Sequence, residues 1–414
     1  MLAARAVGSP WAICSACTAN PLALEAVLDH AELSGAPALV EATPNQVNQF
    51  GGYTGMTPAG FASFVARMQE GRRCEVILGG DHLGPVVWRG LPQAEAMANA
   101  AELVGQCAAV GFQKIHIDTS MSLMGDPLAL GGDAIAARAA FLCERAEAAA
   151  DPSRPPVYVI GSEVPVPGGA QRPKDVVEVT RPEDFLATVA SFRDAFAARG
   201  LQGAWERVVA VVVQPGVEFG DEHVFAYDRA RASRLAEALA PLSPLVFEGH
   251  STDYQAPGAL RQMAEDGVAI QKVGPALTFA LREALFSLSE MEKWLVPAGG
   301  ARSRFTETLE EAMLRDPSNW ERYYRGSPEQ QAFKRRFSLS DRARYYLPDP
   351  AVEQAAAKLM ANIDACKPPL SLVSQYMPSQ FERLREGIIQ LSARELVKSR
   401  VADCLSTYPT PCWR

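Results

Sequence analysis

The sequence predicts a (β/α)8 TIM barrel followed by a C-terminal helical extension. Short β-branched or apolar runs alternate with helical patterns in the first two-thirds of the 414-residue chain, and eight such repeats occur there. Alternation of strands and helices implies a parallel sheet, and eight repeats over about 280 residues are typical of a closed barrel. We therefore expect the barrel over residues 1–290 and the extension, packed on the barrel, over residues 291–414.

The eight predicted strands are apolar runs bounded by turn-forming residues. They lie at residues 11–17, 37–42, 74–80, 113–118, 155–162, 207–214, 244–249 and 268–273. A doubly wound open sheet is the alternative to the barrel. Such a sheet usually carries a G-x-G-x-x-G loop after its first strand, and this sequence has none there.

The predicted helices carry start and stop signals. Residues 91–109 form an Ala-rich helical pattern that ends before Gly111. Thr180 and Glu183 have capping-box spacing ahead of a helix that ends near Gly200. Beyond residue 290 there is no strand pattern, and helical periodicity predicts helices at 305–315, 327–345, 350–362 and 378–398.

Composition excludes several classes of partner. The net charge is −8 with no basic block, which argues against nucleic-acid binding. No apolar run approaches the ~18–20 residues of a membrane helix. The N-terminal segment lacks the apolar core of a signal peptide. Small-molecule chemistry is the class that remains.

The eight cysteines are spread along a chain too long to need disulfide stapling, which favours reduced thiols in the cytoplasm. Cys14 and Cys17 form a C-x-x-C pair. A redox or zinc role would need a helix N-terminus or a second cysteine pair nearby, and neither is visible. We interpret the pair as small residues at the end of a strand.

Polar residues end most of the predicted strands, and these ends open onto the face where TIM-barrel enzymes keep their active sites. They are Glu41, Asp81, His82, Asp118, Glu163, Gln214, Glu248, His250 and Lys272. The period-2 alternation of a strand directs Ile115 and Ile117 toward the helices and His116 and Asp118 inward. It likewise places Glu248 and His250 on one face.

Asp81 and His82 are adjacent, so on a regular strand they would point in opposite directions. Both can serve one site only if the strand has ended by Gly80 and a loop has begun. Histidines at strand ends beside carboxylates suggest a divalent metal bound by His82, His250 and an oxygen ligand such as Glu163. The interpretation of His116 stays open between a core residue and a partner of the site.

Two loops look suited to close over a ligand. Residues 43–58 carry the amides of Asn45, Gln46, Asn48 and Gln49 together with three glycines, and residues 165–173 follow the fifth strand. Amides that donate and accept at successive hydroxyls suit a sugar substrate. Ordinary long loops of a barrel are the alternative.

Long motifs resemble a known family. The motifs in the barrel region are EATPNQVNQFGGYTGMTP, ILGGDHLGP, KIHIDTSMS, VIGSEVPVPGG, VVVQPGVEF, EGHSTDYQ and KVGPALTFALREA, and those in the tail are FSLSDRARYYLPDP and LVSQYMPSQFERL. Together they resemble the non-catalytic, or accessory, subunit of class II D-tagatose-1,6-bisphosphate aldolase. The resemblance covers essentially the whole chain. It implies a TIM barrel related to the class II ketose-bisphosphate aldolases.

The resemblance leaves several activities open. Relatives are described as accessory subunits of a catalytic aldolase, as tagatose-6-phosphate kinases, or as metal-dependent C4-epimerases of tagatose, fructose or their 6-phosphates. The kinase label finds no support here, because the sequence has no G-x-x-x-x-G-K-[ST] loop.

Compared with true class II aldolases, Asp81 and His82 match an acid followed by the first metal histidine, and His250 matches a later one. Gln214 departs from the pattern, since it stands where the aldolases have a metal histidine. A neutral amide is a weaker zinc ligand than imidazole. The usual phosphate-binding turns are also weak here, which leaves a free sugar or a phosphate held by Arg282, Lys272 or the tail.

Two functions follow as hypotheses. The first is a metal-dependent 4-epimerase, in which a divalent ion (Zn²⁺, Mn²⁺ or Ni²⁺) is bound by His82, His250, Glu163 and Gln214. Catalytic roles then fall to Asp81, Glu163 and Asp118, and substrate contacts to Glu41, Asn45, Gln46, Asn48, Gln49, Glu248, Lys272, Gln375 and Tyr376. The second is a stabilising subunit that docks on a catalytic aldolase. We also expect a homo-oligomer, to which Gln375 and Tyr376 could contribute instead of a ligand contact.

Overall fold

The predicted barrel is confirmed. A computed structural model describes residues 8–161, 177–297 and 299–410. Its eight parallel strands close into a barrel in which each strand pairs with its neighbours along the chain, and the last strand pairs with the first. The strands are β1 Ile13–Cys17, β2 Ala38–Ala42, β3 Val76–Leu83, β4 Lys114–Ile117, β5 Val157–Ile160, β6 Val208–Val213, β7 Val246–Gly249 and β8 Val268–Val273.

Eight helices surround the barrel. They are α1 Pro21–Ser34, α2 Pro58–Gln69, α3 Gln93–Ala109, α4 Gly132–Ala149, α5 Pro182–Ala198, α6 Arg229–Leu239, α7 Pro257–Glu265 and α8 Pro275–Leu295. The expected capping box before α5 is wrong. Arg181 occupies the cap position without a side-chain capping bond, and the Thr180 hydroxyl instead accepts the Gln214 N–H at 2.8 Å. The connections between these elements contain a one-turn helix at Gln202–Trp205. They also contain a short β-hairpin, in which Glu218–Phe219 pairs with Val224–Phe225.

The C-terminal segment is helical, as predicted, and lies against the barrel. Its helices are α9 Phe305–Arg315, α10 Pro328–Phe337, α11 Pro350–Cys366, α12 Leu370–Tyr376, α13 Pro378–Arg385 and α14 Ala393–Leu405. Helix α14 packs on both α1 and α8, and α11 also packs on α8. The expected helices at 327–345 and 378–398 are each interrupted, the first by a turn before Arg342–Tyr345 and the second by residues 386–392.

Alternation along the strands separates two apolar regions. Ile115 and Ile117 belong to the large core between the strands and the helices. A second, smaller cluster draws its buried side chains from strands alone, and it includes Leu39, Val246 and Ile270. Two residues further along the same strands stand Glu41, Glu248 and Lys272. The barrel interior is therefore apolar below and charged at its C-terminal end.

Two further structural findings bear on the expectations from composition. Within the described ranges, no helix is both long and apolar enough to span a bilayer. The cysteines among the described residues are all unpaired. Cys14 and Cys17 lie in β1, and the Cys17 thiol donates to the amide oxygen of Gln46 at 3.3 Å.

Candidate active site

A β-bulge in β3 brings Asp81 and His82 to the same site. The expectation that the strand ends by Gly80 is wrong, because pairing with β4 resumes at Leu83. Gly80 pairs with Ile115 and Leu83 pairs with Ile117, so β3 advances by three residues while β4 advances by two. Within this bulge His82 takes the left-handed backbone conformation, with φ of 51°. The extra residue of a bulge re-aims the side chains that follow it. Both members of the pair can therefore face the barrel mouth.

Charged groups of five strands form a continuous ion-pair chain at this end of the barrel. The carboxylate of Glu41 binds both lysines: Lys114 Nζ lies 2.5 Å from Oε1, and Lys272 Nζ contacts Oε2. Lys114 also lies 2.7 Å from Glu248 Oε2, and Lys272 lies 2.8 Å from Asp81 Oδ1. All five side chains are buried. A buried charge is tolerated only when it is paired in this way.

A glycine makes room for this arrangement. A Cβ on Gly79 would lie 2.8 Å from Glu41 Oε1 and 2.9 Å from its Cγ. Both distances are shorter than the contacts that Cβ atoms make in real proteins, so a larger residue at this position would push Glu41 away from the two lysines. The glycine before Asp81 and His82 thus has a packing role in the site as well as a backbone one.

Two histidines face each other across the site. His82 Nδ1 lies 2.9 Å from Asp118 Oδ2, and His250 Nε2 lies 3.0 Å from Glu248 Oε1. Each of these nitrogens must carry a proton to bond a carboxylate, which leaves a lone pair on the other nitrogen of each neutral ring. Those two nitrogens, His82 Nε2 and His250 Nδ1, are 3.1 Å apart. Two lone pairs at this distance repel each other unless a proton or a metal ion lies between them.

His116 completes the histidine group. Its ring centroid lies 5.1 Å from that of His82 and 5.2 Å from that of His250. Its Nδ1 accepts the backbone N–H of His82 at 3.1 Å and lies 3.1 Å from Asp81 Oδ1. Its Nε2 is buried and has no hydrogen-bond partner among the described residues. A buried polar nitrogen without a partner points to a ligand that the protein atoms do not supply.

Neighbouring cations keep Asp81 and Glu248 ionised. Burial raises the pKa of Asp81, but His82 and Lys272 outweigh it and hold that pKa well below its ordinary value. Burial is likewise outweighed at Glu248, whose pKa Lys114 and Lys272 hold well below the ordinary range. Burial lowers the pKa of His250 to about 3, so this ring is neutral and can act as a metal ligand.

The donor set fits a divalent cation. Asp81, His116, Glu248 and His250 each offer one atom, and these atoms all lie within 4.8 Å of one another. Imidazole and carboxylate ligands suit zinc, manganese and nickel. The four acids of the site, which are Glu41, Asp81, Asp118 and Glu248, outnumber its two lysines by two. A divalent ion would balance that excess negative charge.

The side chain of Gln214 is hydrogen-bonded within its own loop. Its side-chain oxygen accepts the backbone N–H groups of Gly216 at 2.8 Å and Val217 at 2.9 Å, so it closes the turn that follows β6. This use of the oxygen competes with the expected metal ligation by Gln214, which stays a prediction. Glu163 and the loop 165–173 lie outside the described residues.

Most amides of the loop at residues 43–58 build the loop itself. Gln46 accepts the Thr43 N–H, and Asn48 accepts those of Phe50 and Gly52 while it donates to the Pro44 carbonyl. Gln49 donates to the carbonyl of Asn99 on α3. Asn45 is half-buried, and no hydrogen bond of its side chain is found within the described part of the chain. It is the amide of this set with both polar atoms free for a ligand.

Gln375 and Tyr376 do not reach this site. Tyr376 accepts a hydrogen bond from the indole N–H of Trp294 at 3.3 Å, and Trp294 is in the last turn of α8. Helix α8 starts at the site and runs toward the other end of the barrel. Within one chain, the two residues therefore lie at the end of the barrel opposite the site, where Gln375 is exposed.

Sequence reasoning missed Lys114 and left His116 undecided. The period-2 alternation already placed both on the inward face of β4, together with Asp118. The position of His116 lower in the strand than Asp118 left it open between a core residue and a partner of the site. The short β4, which ends at Ile117, brings Lys114 and His116 up to the mouth of the barrel.

Comparisons with known proteins show the family of this chain. The family model for the D-tagatose-1,6-bisphosphate aldolase subunit, GatZ/KbaZ-like, matches residues 1–413. The chain belongs to this GatZ/KbaZ-like family. A crystal structure of a family relative, described as a probable tagatose 6-phosphate kinase from Sinorhizobium meliloti 1021, is 47% identical with a TM-score of 0.89. The match covers 96% of this chain and 99% of that one.

More distant similarities are to solved aldolases. Fructose-bisphosphate aldolase from Campylobacter jejuni is 14% identical with a TM-score of 0.43, over 86% of this chain and 89% of that chain. The YdjI aldolase from Escherichia coli K12 is 12% identical with a TM-score of 0.41, over 87% and 95%. Both lie too far away to bear on the function of this GatZ/KbaZ-like chain.

Proposed function

We propose that this chain is a metal-dependent enzyme of tagatose and fructose metabolism. It inverts C4 of a ketohexose or a ketohexose 6-phosphate by retro-aldol cleavage and re-addition. The observation that carries the proposal is the buried group of Asp81, His82, His116, Glu248 and His250 at the barrel mouth. The family description and the relative's description, which both refer to tagatose, support the substrate class.

Asp81 acts as the base in this proposal. Its low pKa keeps it ionised near neutral pH, so it can accept the proton of the C4 hydroxyl. The C3–C4 bond then breaks, C4 becomes the carbonyl carbon of an aldehyde fragment, and the bonding electrons form an enediolate on C2 and C3. The aldehyde turns over and C3 attacks its other face. Asp81 returns the proton to the new C4 alkoxide, so atoms and charge balance over the cycle.

The remaining residues hold charge and orientation. Lys272 and Lys114 are buried cations that lower the energy of negative charge developing beside them. His116, Glu248 and His250, with His82 facing His250, would hold a zinc, manganese or nickel ion, which as a Lewis acid would polarise a carbonyl oxygen. Asp118 orients the His82 ring through Nδ1, as acids behind metal histidines commonly do. Glu163 remains a candidate ligand or acid.

The decisive experiment is an assay of the purified full-length chain alone. Tagatose, fructose and their 6-phosphates are each supplied with Mn²⁺, Zn²⁺ or Ni²⁺, and the C4 epimer is measured. We expect epimer formation that Asp81→Asn abolishes and Asp133→Asn, an exposed acid on α4, leaves unchanged. A folded chain that forms no epimer from any sugar with any metal would refute the proposal.

The family description favours a second function. A chain named as an aldolase subunit could stabilise a class II tagatose-bisphosphate aldolase without catalysis of its own. Co-expression with such a catalytic subunit separates the two functions. The stabilising role would be established if the activity of the catalytic partner falls without this chain, and if the Asp81→Ala variant restores that activity as well as the wild-type chain does. Assembly into a homo-oligomer and residence in the cytoplasm are part of either proposal.

A further inference from the structure

We propose that the cavity beside the ion-pair chain of the barrel mouth is an anion subsite, in which Arg344 of the helical extension binds the phosphate of a ketohexose 6-phosphate. This inference rests on the proposed function and chooses between its two substrate classes. It also gives the extension a role in recognition. The phosphate of such a sugar lies at the far end of the fragment that retro-aldol cleavage releases, so a separate subsite beside the reacting carbons suits it.

The cavity adjoins the reacting groups. It has a volume of about 200 Å³, and its lining includes Thr18, Asn20, Tyr53, Thr278 and Arg344. That volume is several times the space one water molecule takes, and it suits one end of a ligand. Cys17 also lines the cavity and pairs in register with Glu41, whose carboxylate binds both lysines of the site. A single residue thus separates the cavity from the ion-pair chain.

Arg344 is a cation without an anionic partner. No carboxylate lies within ion-pair distance of its guanidinium in the described ranges, and its Nε is buried with no hydrogen-bond acceptor. Its Nη2 donates to the hydroxyl of Tyr345 at 3.0 Å, which is its one hydrogen bond found among the described residues. Two other buried arginines have acids, since Arg282 binds Asp341 at 2.6 Å and Arg335 binds Glu310 at 2.6 Å. Arg342 has none among the described residues, but it stacks on the Tyr323 ring and does not line the cavity. An unpaired, partly buried guanidinium is a ready site for a phosphate.

Neutral donors surround the same space. Asn20 uses its side-chain oxygen to accept the N–H groups of Leu22 and Ala23, which leaves its NH2 group to donate. The Thr18 oxygen accepts the Asn20 N–H, so its own proton is also available. Tyr53 packs edge-on against Tyr345, with ring centroids 4.8 Å apart, which fixes the loop next to the arginine. Hydroxyl and amide donors around a guanidinium match the acceptor oxygens of a phosphate.

The position that TIM barrels commonly use for phosphate is filled here. That position lies by the last two strands, where backbone N–H groups at a helix N-terminus bind the anion. The buried carboxylate of Asp253 accepts the Gly274 N–H at 3.0 Å and the Ala276 N–H at 2.8 Å at the start of α8. An acid that already uses these donors would repel a phosphate, so the phosphate must bind elsewhere.

One acid lines the outer part of the cavity. Glu353 belongs to the first turn of α11 and is exposed. Water and salt screen an exposed carboxylate, and its own helix N-terminus partly neutralises it. Its charge therefore acts weakly on a phosphate bound next to Arg344.

Calorimetric titration of the full chain tests the subsite without turnover. The probes are inorganic phosphate, fructose 6-phosphate and free fructose. We expect Arg344→Gln to weaken binding of both phosphate-containing probes by roughly tenfold or more, as loss of a charge-assisted hydrogen bond predicts. Free fructose should change by less than about twofold. Arg344→Lys should retain part of the phosphate affinity, and Arg304→Gln, an exposed arginine before α9, should retain all of it.

The outcomes separate this inference from the proposed function. Unchanged phosphate affinity in Arg344→Gln, or equal losses for fructose and fructose 6-phosphate, would overturn the subsite. Binding of inorganic phosphate through Arg344 in a chain that epimerises nothing would support the subsite and refute only the epimerase. Epimerisation that persists with unchanged KM for fructose 6-phosphate in Arg344→Gln would refute only the subsite.

Discussion

His82 Nε2 and His250 Nδ1 face each other at 3.1 Å, and the other nitrogen of each ring bonds a carboxylate. Such a pair needs a cation between the rings. Burial favours a neutral His82, but Asp81 and Asp118 outweigh it and raise the pKa of this ring, so a proton is one candidate. A divalent metal is the other, and the donor atoms around the pair favour it.

The first prediction concerns metal content. His82→Ala and His250→Ala should each lose the bound ion, because each removes an imidazole ligand from a small donor set. Elemental analysis of the purified variants, after dialysis against Zn²⁺, Mn²⁺ or Ni²⁺, measures the stoichiometry. His223→Ala removes an exposed histidine and should keep the wild-type content. Full metal occupancy in both site variants would mean that a proton bridges the two rings.

The second prediction concerns the acid behind His82. Asp118 accepts the His82 Nδ1 proton with Oδ2, while its Oδ1 accepts the backbone N–H and the hydroxyl of Ser120. Asp118→Asn should weaken metal affinity by about 10–100-fold, as loss of an acid behind a metal histidine typically does. Competition with a metal-binding dye measures this affinity. Ser120→Ala leaves the histidine bond in place and should change the affinity far less. Equal effects of the two substitutions would argue against an orienting role for Asp118.

The barrel and its charged mouth follow from short-range patterns. Strand positions depend on apolar runs, and the direction of His116, Asp118 and Glu248 depends on a period of two, which a sequence displays directly. The bulge at Asp81 and His82 cannot be predicted from such short-range patterns, because it arises from pairing between β3 and β4. No local pattern fixes how many residues of one strand oppose its neighbour.

Amide side chains were the least predictable part of the site. Gln46, Asn48 and Gln214 all lie in loops at the barrel mouth, where a ligand contact is a natural expectation. In the structure their oxygens accept backbone N–H groups of their own loops. The sequence contains the same residue types in either case. Only the folded loop decides whether an amide satisfies the backbone or remains free for a sugar.

The third prediction tests the role of Gln214. Gln214→Ala leaves two backbone N–H groups, those of Gly216 and Val217, without their acceptor. Loss of these bonds should lower the free energy of unfolding by about 1–3 kcal/mol. Metal stoichiometry should not change, because the amide oxygen is already used by the N–H groups of its own loop. Denaturant unfolding and elemental analysis of the same preparation measure both quantities. A loss of metal with normal stability would instead identify Gln214 as a ligand.

The fourth prediction concerns the loop that joins β4 to α4, next to Asp118. Within it, Asp126 binds Arg138 through two bonds of 2.7 and 2.8 Å and also accepts the Leu123 N–H at 2.7 Å. The hydrogen bonds from Arg138 lower the pKa of Asp126 below its ordinary value. An acid with a lowered pKa contributes stability above its unfolded pKa of about 3.9, and this contribution disappears as pH falls through the folded value.

Asp126→Asn should therefore lower the free energy of unfolding by about 1.5–3 kcal/mol at neutral pH, the range for hydrogen bonds to charged groups. The deficit should stay constant from about pH 7 to pH 5 and shrink below about pH 4, where the carboxyl of the unfolded chain gains its proton. It should close as pH falls through the lower pKa of the folded protein, where the carboxyl is neutral like asparagine. Denaturant unfolding at a series of pH values measures it. Asp133→Asn, an exposed acid on the neighbouring helix α4, should show little deficit at any pH. A deficit in Asp126→Asn that persists unchanged at pH 3 would show that packing of the loop, and not the carboxylate charge, is responsible.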